Sequence, residues 1–337
     1  MDFAPIAEVW RGPAVESVHF GIAAVANASG EVVYGWGDTD VVTFPRSSLK
    51  PIQAIALVET GAADAFGLEP QHLALACASH RGEPMHTVRA AKWLERLELP
   101  IDVLACGPDY PADEDTAADL IRSRTAPSRL FHNCSGKHCG YLTVARHMRW
   151  PTAGYDDPLH PTEQLYFDTF SDLLGSDVRN LPLGVDGCTL PAPALSMAAM
   201  ARCMARYAAA DTGDARRNEA IRRLQDAMRR YPELVAGTNQ PNVALSEATG
   251  RRIVMKGGAE GYLAAFIPDQ GLGIALKVAD GNARARFVTL LAVLRGLKLL
   301  DKAECADLAD LAEPVILDSV GNVAGRICAC TPPKAKP

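Results

Sequence analysis

Phe44-Pro-Arg-Ser-Ser-Leu-Lys-Pro51 is the stretch at which the chain changes its period. Upstream, Val18 to Val25 and Glu31 to Trp36 read as strands flanking the turn-like Asn27-Ala-Ser-Gly30, the pattern of a hairpin. Downstream, Leu49, Ile52, Ile55, Ala56 and Glu59 fall on one helical stripe that stops at Gly61. Pro51 fixes where that helix begins. Proline is tolerated only in a first turn, where its missing N–H has no intrahelical partner to lose. The helix therefore starts near Ser47. Ser47 and Lys50 then share a face, whereas Ser48 and Lys50, two apart, do not.

Working outward, helical stretches are predicted at Met85 to Leu97, Asp113 to Arg122, Lys137 to Met148, Thr162 to Leu174, Leu195 to Tyr207, Ala215 to Arg230 and Ala283 to Lys298. Strand character returns at Arg252 to Met255 and Leu272 to Val278. A sheet built from both chain ends, with helices between, predicts an α+β fold whose termini meet. No Gly/Pro/Ser linker interrupts the chain. The expectation is one integrated unit over residues 1–330, its sheet in roughly 1–60 and 250–330 and its mostly helical part in 61–249. The tail Thr331-Pro-Pro-Lys-Ala-Lys-Pro337 is expected to be disordered.

The 337 residues are 48% hydrophobic and 22% charged, which excludes extended disorder and fibrous classes. Against 40 acidic residues stand 34 Lys and Arg, a net −6, so no basic surplus points to nucleic acid. No apolar run reaches the length of about 18 residues that a membrane span needs. Met1-Asp-Phe-Ala-Pro5 shows no basic and apolar secretory pattern, so the expectation is a cytoplasmic protein with reduced thiols. Nine cysteines, an odd number, cannot all pair within the chain.

A serine hydroxyl barely ionises at neutral pH and needs an adjacent base. Lys50 is that base only if burial or a nearby cation lowers its pKa. Alone, S-x-x-K is a weak signal, since an N-cap serine and a solvated lysine give the same tetrapeptide. Two further segments place polar groups where a core ends. Leu73-Ala-Leu-Ala-Cys-Ala-Ser-His80 is an apolar run ending in a hydroxyl and an imidazole. Ile253-Val-Met-Lys-Gly-Gly-Ala-Glu-Gly261 delivers Lys256 into a glycine-rich turn.

Taken in order, Pro45–Pro51, Ala76–His80, His132–His138, Asp186-Gly-Cys188 with Pro191, Lys256–Gly261 and Ala279-Asp-Gly281 resemble the successive motifs of the bacterial L-asparaginase II family, the rhizobial-type, thermolabile group. The resemblance runs over roughly residues 5–330. It implies a fold related to serine β-lactamases, penicillin-binding proteins and glutaminases, with an antiparallel sheet, flanking helices and a mostly helical lobe. It also implies hydrolysis of L-asparagine to L-aspartate and ammonia through two Ser–Lys pairs, Ser47 with Lys50 and Ser79 with Lys256, in a homodimer. By charge complementarity, Arg46, His80 and Asp186 are candidates to hold the α-carboxylate and α-ammonium of the substrate.

His132-Asn-Cys-Ser-Gly-Lys-His-Cys139 concentrates thiols, imidazoles and a lysine, and Cys188 follows in a turn. Zinc favours sulfur and nitrogen donors, so Cys134 and Cys188 are candidate ligands with His138 as the usual third. The family resemblance instead implies Cys134, Lys137 and Cys188, an unusual set because the amine must be neutral. Cys139 stands where the family pattern more often has a small residue, and is a competing thiol. Cys328-Ala-Cys330 has the wrong spacing for a C-x-x-C motif. Two other readings remain: a β-lactamase or transpeptidase-like serine hydrolase, for which no convincing S-x-N is present, and a zinc-containing amino-acid-binding protein without turnover.

Overall fold

The computed structural model describes residues 2–333; positions 334–337 of the expected disordered tail lie outside the described residues. In chain order the main strands are β1 (Ala4–Arg11), β2 (Ala14–Ala26), β3 (Val32–Trp36), β4 (Val254–Gly257), β5 (Tyr262–Ile267), β6 (Leu272–Val278), β7 (Val315–Leu317) and β8 (Val323–Ala329). They form one antiparallel sheet in the order β7-β8-β1-β2-β6-β5-β4, with β3 also on β2. The fold is α+β, with the sheet drawn from both chain ends as expected.

The long β2 explains the branching. Its first half pairs with β1 and its second half with β3, while residues 21–26 also pair with β6. The expected hairpin turn is closed by Gly30 N donating to Asn27 O at 2.9 Å and Asn27 N to Glu31 O at 3.0 Å.

The chain divides into two compact units. One holds the residues up to Ser48, Leu195–Ala209 and those from Ala244 onward; the other holds Leu49–Ala194 and Ala210–Val243. The helix Met197–Ala209, read from sequence as part of the helical middle, packs on the sheet strands β2, β5 and β6. Gly273 of β6 makes that approach possible, because a Cβ there would stand 2.1 Å from Ala205 N and 2.3 Å from Ala201 O. Period alone identifies a helix but not its packing partner.

The helix Arg284–Gly296 packs against β1, β6 and β8, adding Val288, Leu291 and Leu294 to the core. With both sides covered, β5 and β6 are almost wholly buried and lose the alternation of a half-exposed strand. That is why Tyr262–Ile267 carries no period-2 signal and is missed from sequence.

The other unit is built around the helix Ser135–Met148, buried from Ser135 to Ala145. The helices Ile55–Glu59, Pro70–Ala76, Pro84–Arg96 and Pro161–Leu174 pack on it. Gly136 permits the closest approach, since its Cβ would meet Leu75 O at 2.3 Å. Trp93 Nε1 donates to Thr143 Oγ1 at 2.9 Å, satisfying the indole inside the core. Arg217 forks onto Glu59 at 3.1 and 2.9 Å and also binds Asp172.

Candidate functional site

In the sheet-bearing unit, Arg46 opens a 3-10 turn, Arg46–Leu49, in the left-handed region at φ 52°. Such a backbone is costly for a residue with a Cβ and marks a constrained segment. Ser47 is partly exposed and Ser48 fully buried. Ser48 Oγ donates to the Lys256 carbonyl at 3.0 Å, tying the 3-10 turn to the strand that carries Lys256. Gly258 completes the fit: a Cβ there would stand 2.6 Å from Pro45 O and 2.8 Å from Ser48 Oγ. Lys256 is buried and donates from Nζ to Gly257 O at 2.7 Å.

In the helical unit, Lys50 is wholly buried at the start of the helix Lys50–Gln53, with Pro51 in the first turn as expected. Its Nζ donates to Ser79 Oγ at 3.0 Å, to Asn133 O at 3.4 Å and to Ala78 O. Lys50 is thus bonded to Ser79, a pairing that the i, i+3 spacing does not suggest. A long side chain can run along a helix end and away from its neighbour on the same face, which spacing does not encode. Ser79 follows the helix Pro70–Ala76, and its N–H donates to Val235 O at 2.9 Å.

His80 takes a different place from the one expected. Gly82 N donates to its Nδ1 at 3.1 Å, which leaves Nε2 as the protonated nitrogen facing Ser135 Oγ at 2.9 Å. Burial, then the neighbouring His86 and Lys50, push its pKa well down, so the ring is neutral. Both nitrogens are committed to the protein. His80 braces the Ser79 loop through both nitrogens.

Cys134, Lys137 and Cys188 come together as a buried cluster. Lys137 Nζ lies 2.9 Å from Cys188 Sγ. A hydrogen bond from Cys188 pulls the Cys134 thiol well down, overcoming burial, with Lys50 and Lys137 helping. The same hydrogen bond, with burial, pushes Cys188 up. Burial alone would lower Lys137, but Cys188, Cys134 and Asp186 outweigh it and raise the amine. Two sulfurs and an amine nitrogen are the donor types that suit zinc, so the residues fit the group that the resemblance implies. Asp186 shapes the turn carrying Cys188, its Oδ1 accepting from Gly187 N at 2.7 Å.

His138 follows Lys137 on the same helix; its buried Nε2 has no partner among the described residues, and its Nδ1 is taken up elsewhere. Tyr155 accepts from Ala105 N at 2.7 Å, and its own O–H faces His138 Nδ1 at 2.7 Å. Among the described residues no three His, Cys, Asp or Glu side chains are grouped to hold a metal. Cys139 is set aside: burial raises its thiol and its Sγ faces Ala90 O at 3.9 Å.

Sequence reasoning missed several residues. Asn133 offers its carbonyl both to Lys50 and, at 3.2 Å, to His80 N. Glu163 in the helix Pro161–Leu174 is fully buried, with neither carboxylate oxygen hydrogen-bonded among the described residues. Burial pushes its carboxyl well up, only partly opposed by Lys137. Nearby, Gln53, Lys137, Tyr141 and Thr162 line a small cavity. A glutamate in a helical first turn reads from sequence as an ordinary surface residue. No helix among the described residues is long and apolar enough to cross a membrane.

Comparison with known proteins gives one family: a family model described as L-asparaginase II matches residues 7–329. No curated protein shows a significant match. Among solved structures, the protein Mglu in its native form is similar at TM-score 0.46 and 14% identity, over 84% of this chain and 66% of that one. A β-lactamase from Mycobacterium bovis is similar at TM-score 0.43 and 13% identity, over 87% of this chain and 95% of its own.

Proposed function

The chain belongs to the L-asparaginase II family, and from that premise we propose that it hydrolyses L-asparagine to L-aspartate and ammonia by acyl transfer to a serine. The observation that carries this reading is the match over residues 7–329, which takes in Ser47, Lys50, Ser79 and Lys256.

In the proposed reaction Lys50, as a neutral amine, takes the proton of Ser47 as its oxygen attacks the side-chain amide carbon. Backbone N–H groups at the start of the helical segment stabilise the oxyanion. The C–N bond breaks as Ser79 passes a proton to the departing ammonia, leaving an aspartyl ester on Ser47. Lys256 and Ser79 then activate the water that hydrolyses that ester. Arg46 and Asp186 are assigned the substrate's α-carboxylate and α-ammonium, for which their charges are complementary.

The Lys50–Ser79 hydrogen bond favours a second reading in which Ser79 is the nucleophile and Ser47 the relay. Mapping the acylated serine separates the two.

Cys134, Lys137 and Cys188 are proposed to hold zinc, which when bound would supply a Lewis-acid positive charge. The chain's own part is to present two sulfurs and one amine, the latter neutral in the metal-bound state. A homodimer in the cytoplasm completes the proposal.

Ammonia release from L-asparagine tests the reading directly. Turnover of nitrocefin without it would favour a β-lactamase-like hydrolase. Asparagine binding without ammonia release would favour a non-catalytic amino-acid-binding protein.

A further inference from the structure

Arg286 lies in the first turn of the helix Arg284–Gly296, where the helix dipole disfavours a positive charge. Its guanidinium donates from Nη1 to Gly258 O at 2.9 Å and to Tyr262 O at 3.2 Å. No acidic side chain is paired with it among the described residues, and its Nε is buried without a partner. A half-buried guanidinium with no counter-charge is costly unless something else requires it.

The turn it grips is the one that carries Lys256. Two successive carbonyls of that turn each accept from one basic side chain, Gly257 O from Lys256 Nζ at 2.7 Å and Gly258 O from Arg286 at 2.9 Å. Gly258 N also donates to Tyr262 O at 2.9 Å, so Arg286 bonds both ends of one closed loop. On its other side the same loop rests on Pro45 and Ser48. Charged groups on the adjoining segments include Arg46 on the 3-10 turn, Glu260 on the loop, Lys277 on β6, whose Nζ donates to Glu260 O, and Arg284 in the same helical turn, which bonds His19. Asp280 lies beyond Lys277, and β5 contributes only the Tyr262 phenol.

The geometry points to Arg286 as a positioning residue for Lys256: it clamps the glycine-rich loop against the Ser48 turn and sets a permanent positive charge beside the lysine, favouring the neutral amine. This rests on the reading of Lys256 as part of the serine–lysine machinery. A cation next to a lysine disfavours its protonation, and loss of that cation makes protonation easier.

The test is asparagine hydrolysis by wild type, R286A and R286Q over a range of pH, with circular dichroism as a check on folding. R286Q keeps a donor for the loop and removes the charge. In both variants kcat should fall about 10- to 100-fold with KM within about threefold, and the acid limb of kcat should move up by about one pH unit. Added guanidinium should restore part of the R286A activity. A folded R286A, or R286Q where R286A does not fold, with wild-type kcat and an unmoved acid limb overturns the inference. Absence of ammonia release by wild type would instead overturn the asparaginase reading on which it rests.

Discussion

Lys50 Nζ stands 3.0 Å from Ser79 Oγ, joining the lysine of one motif to the serine of another 29 residues along the chain. The same Nζ also donates to the carbonyls of Ala78 and Asn133. Lys50 is therefore the hub of its unit's polar interior, both a candidate base and a structural donor.

Replacing it by K50M removes that donor from Ala78 O and Ser79 Oγ, while Asn133 O keeps His80 N. The expected cost is about 1–3 kcal/mol of stability for unpaired buried groups, with turnover lower by about 10²–10⁴-fold. Urea unfolding alongside ammonia release checks both. Unchanged stability would mean that water replaces the amine.

Glu163 gives a pH signature. Its carboxyl titrates higher folded than unfolded, so the unfolded chain releases the proton first as pH rises. Stability is then lost as pH climbs above the unfolded value of about 4.3 toward the folded one. E163Q should be more stable than wild type at pH 7 and equal to it near pH 4. Equal melting temperatures at both pH values would show that the carboxylate is compensated in solution.

At the thiol cluster, metal analysis of protein purified without added zinc should find about one zinc per chain, lost in C134S and C188S and weakened in K137M. H138A should keep its zinc, because that ring faces Tyr155. Equal zinc content in all variants would remove the cluster as the site.

Gly258 offers a steric test. G258A forces a Cβ to within 2.6 Å of Pro45 O, so the loop carrying Lys256 must shift. Turnover should drop sharply, whereas G257A, 3.3 Å from the Arg286 side chain, should be milder. Comparable activity in the two would show that the loop's position is unimportant.

Much of this was legible in the sequence, for physical reasons. Pro51 and Gly61 bracketed the first helical segment because one fixes φ and the other reaches φ 82°. The hairpin at Asn27–Gly30 followed from turn chemistry. What stayed hidden depended on tertiary packing. Ser48 read as a mere neighbour of Ser47, yet its hydroxyl bonds Lys256 O across 208 residues of chain. Arg286 and Glu163 carry ordinary surface-helix patterns, and only their burial sets them apart. Side-chain type favours His138 over Lys137 as a zinc ligand, and the sequence carries no sign that Tyr155 occupies one nitrogen of that ring.

The central claim is that Ser47 carries the acyl group, and rapid-quench intact mass with a slow asparagine analogue, followed by peptide mapping, tests it most directly. The account predicts one aspartyl-type ester per chain, located on Ser47 and absent in S47A. An ester on Ser79, or turnover with no ester on any serine, would contradict it.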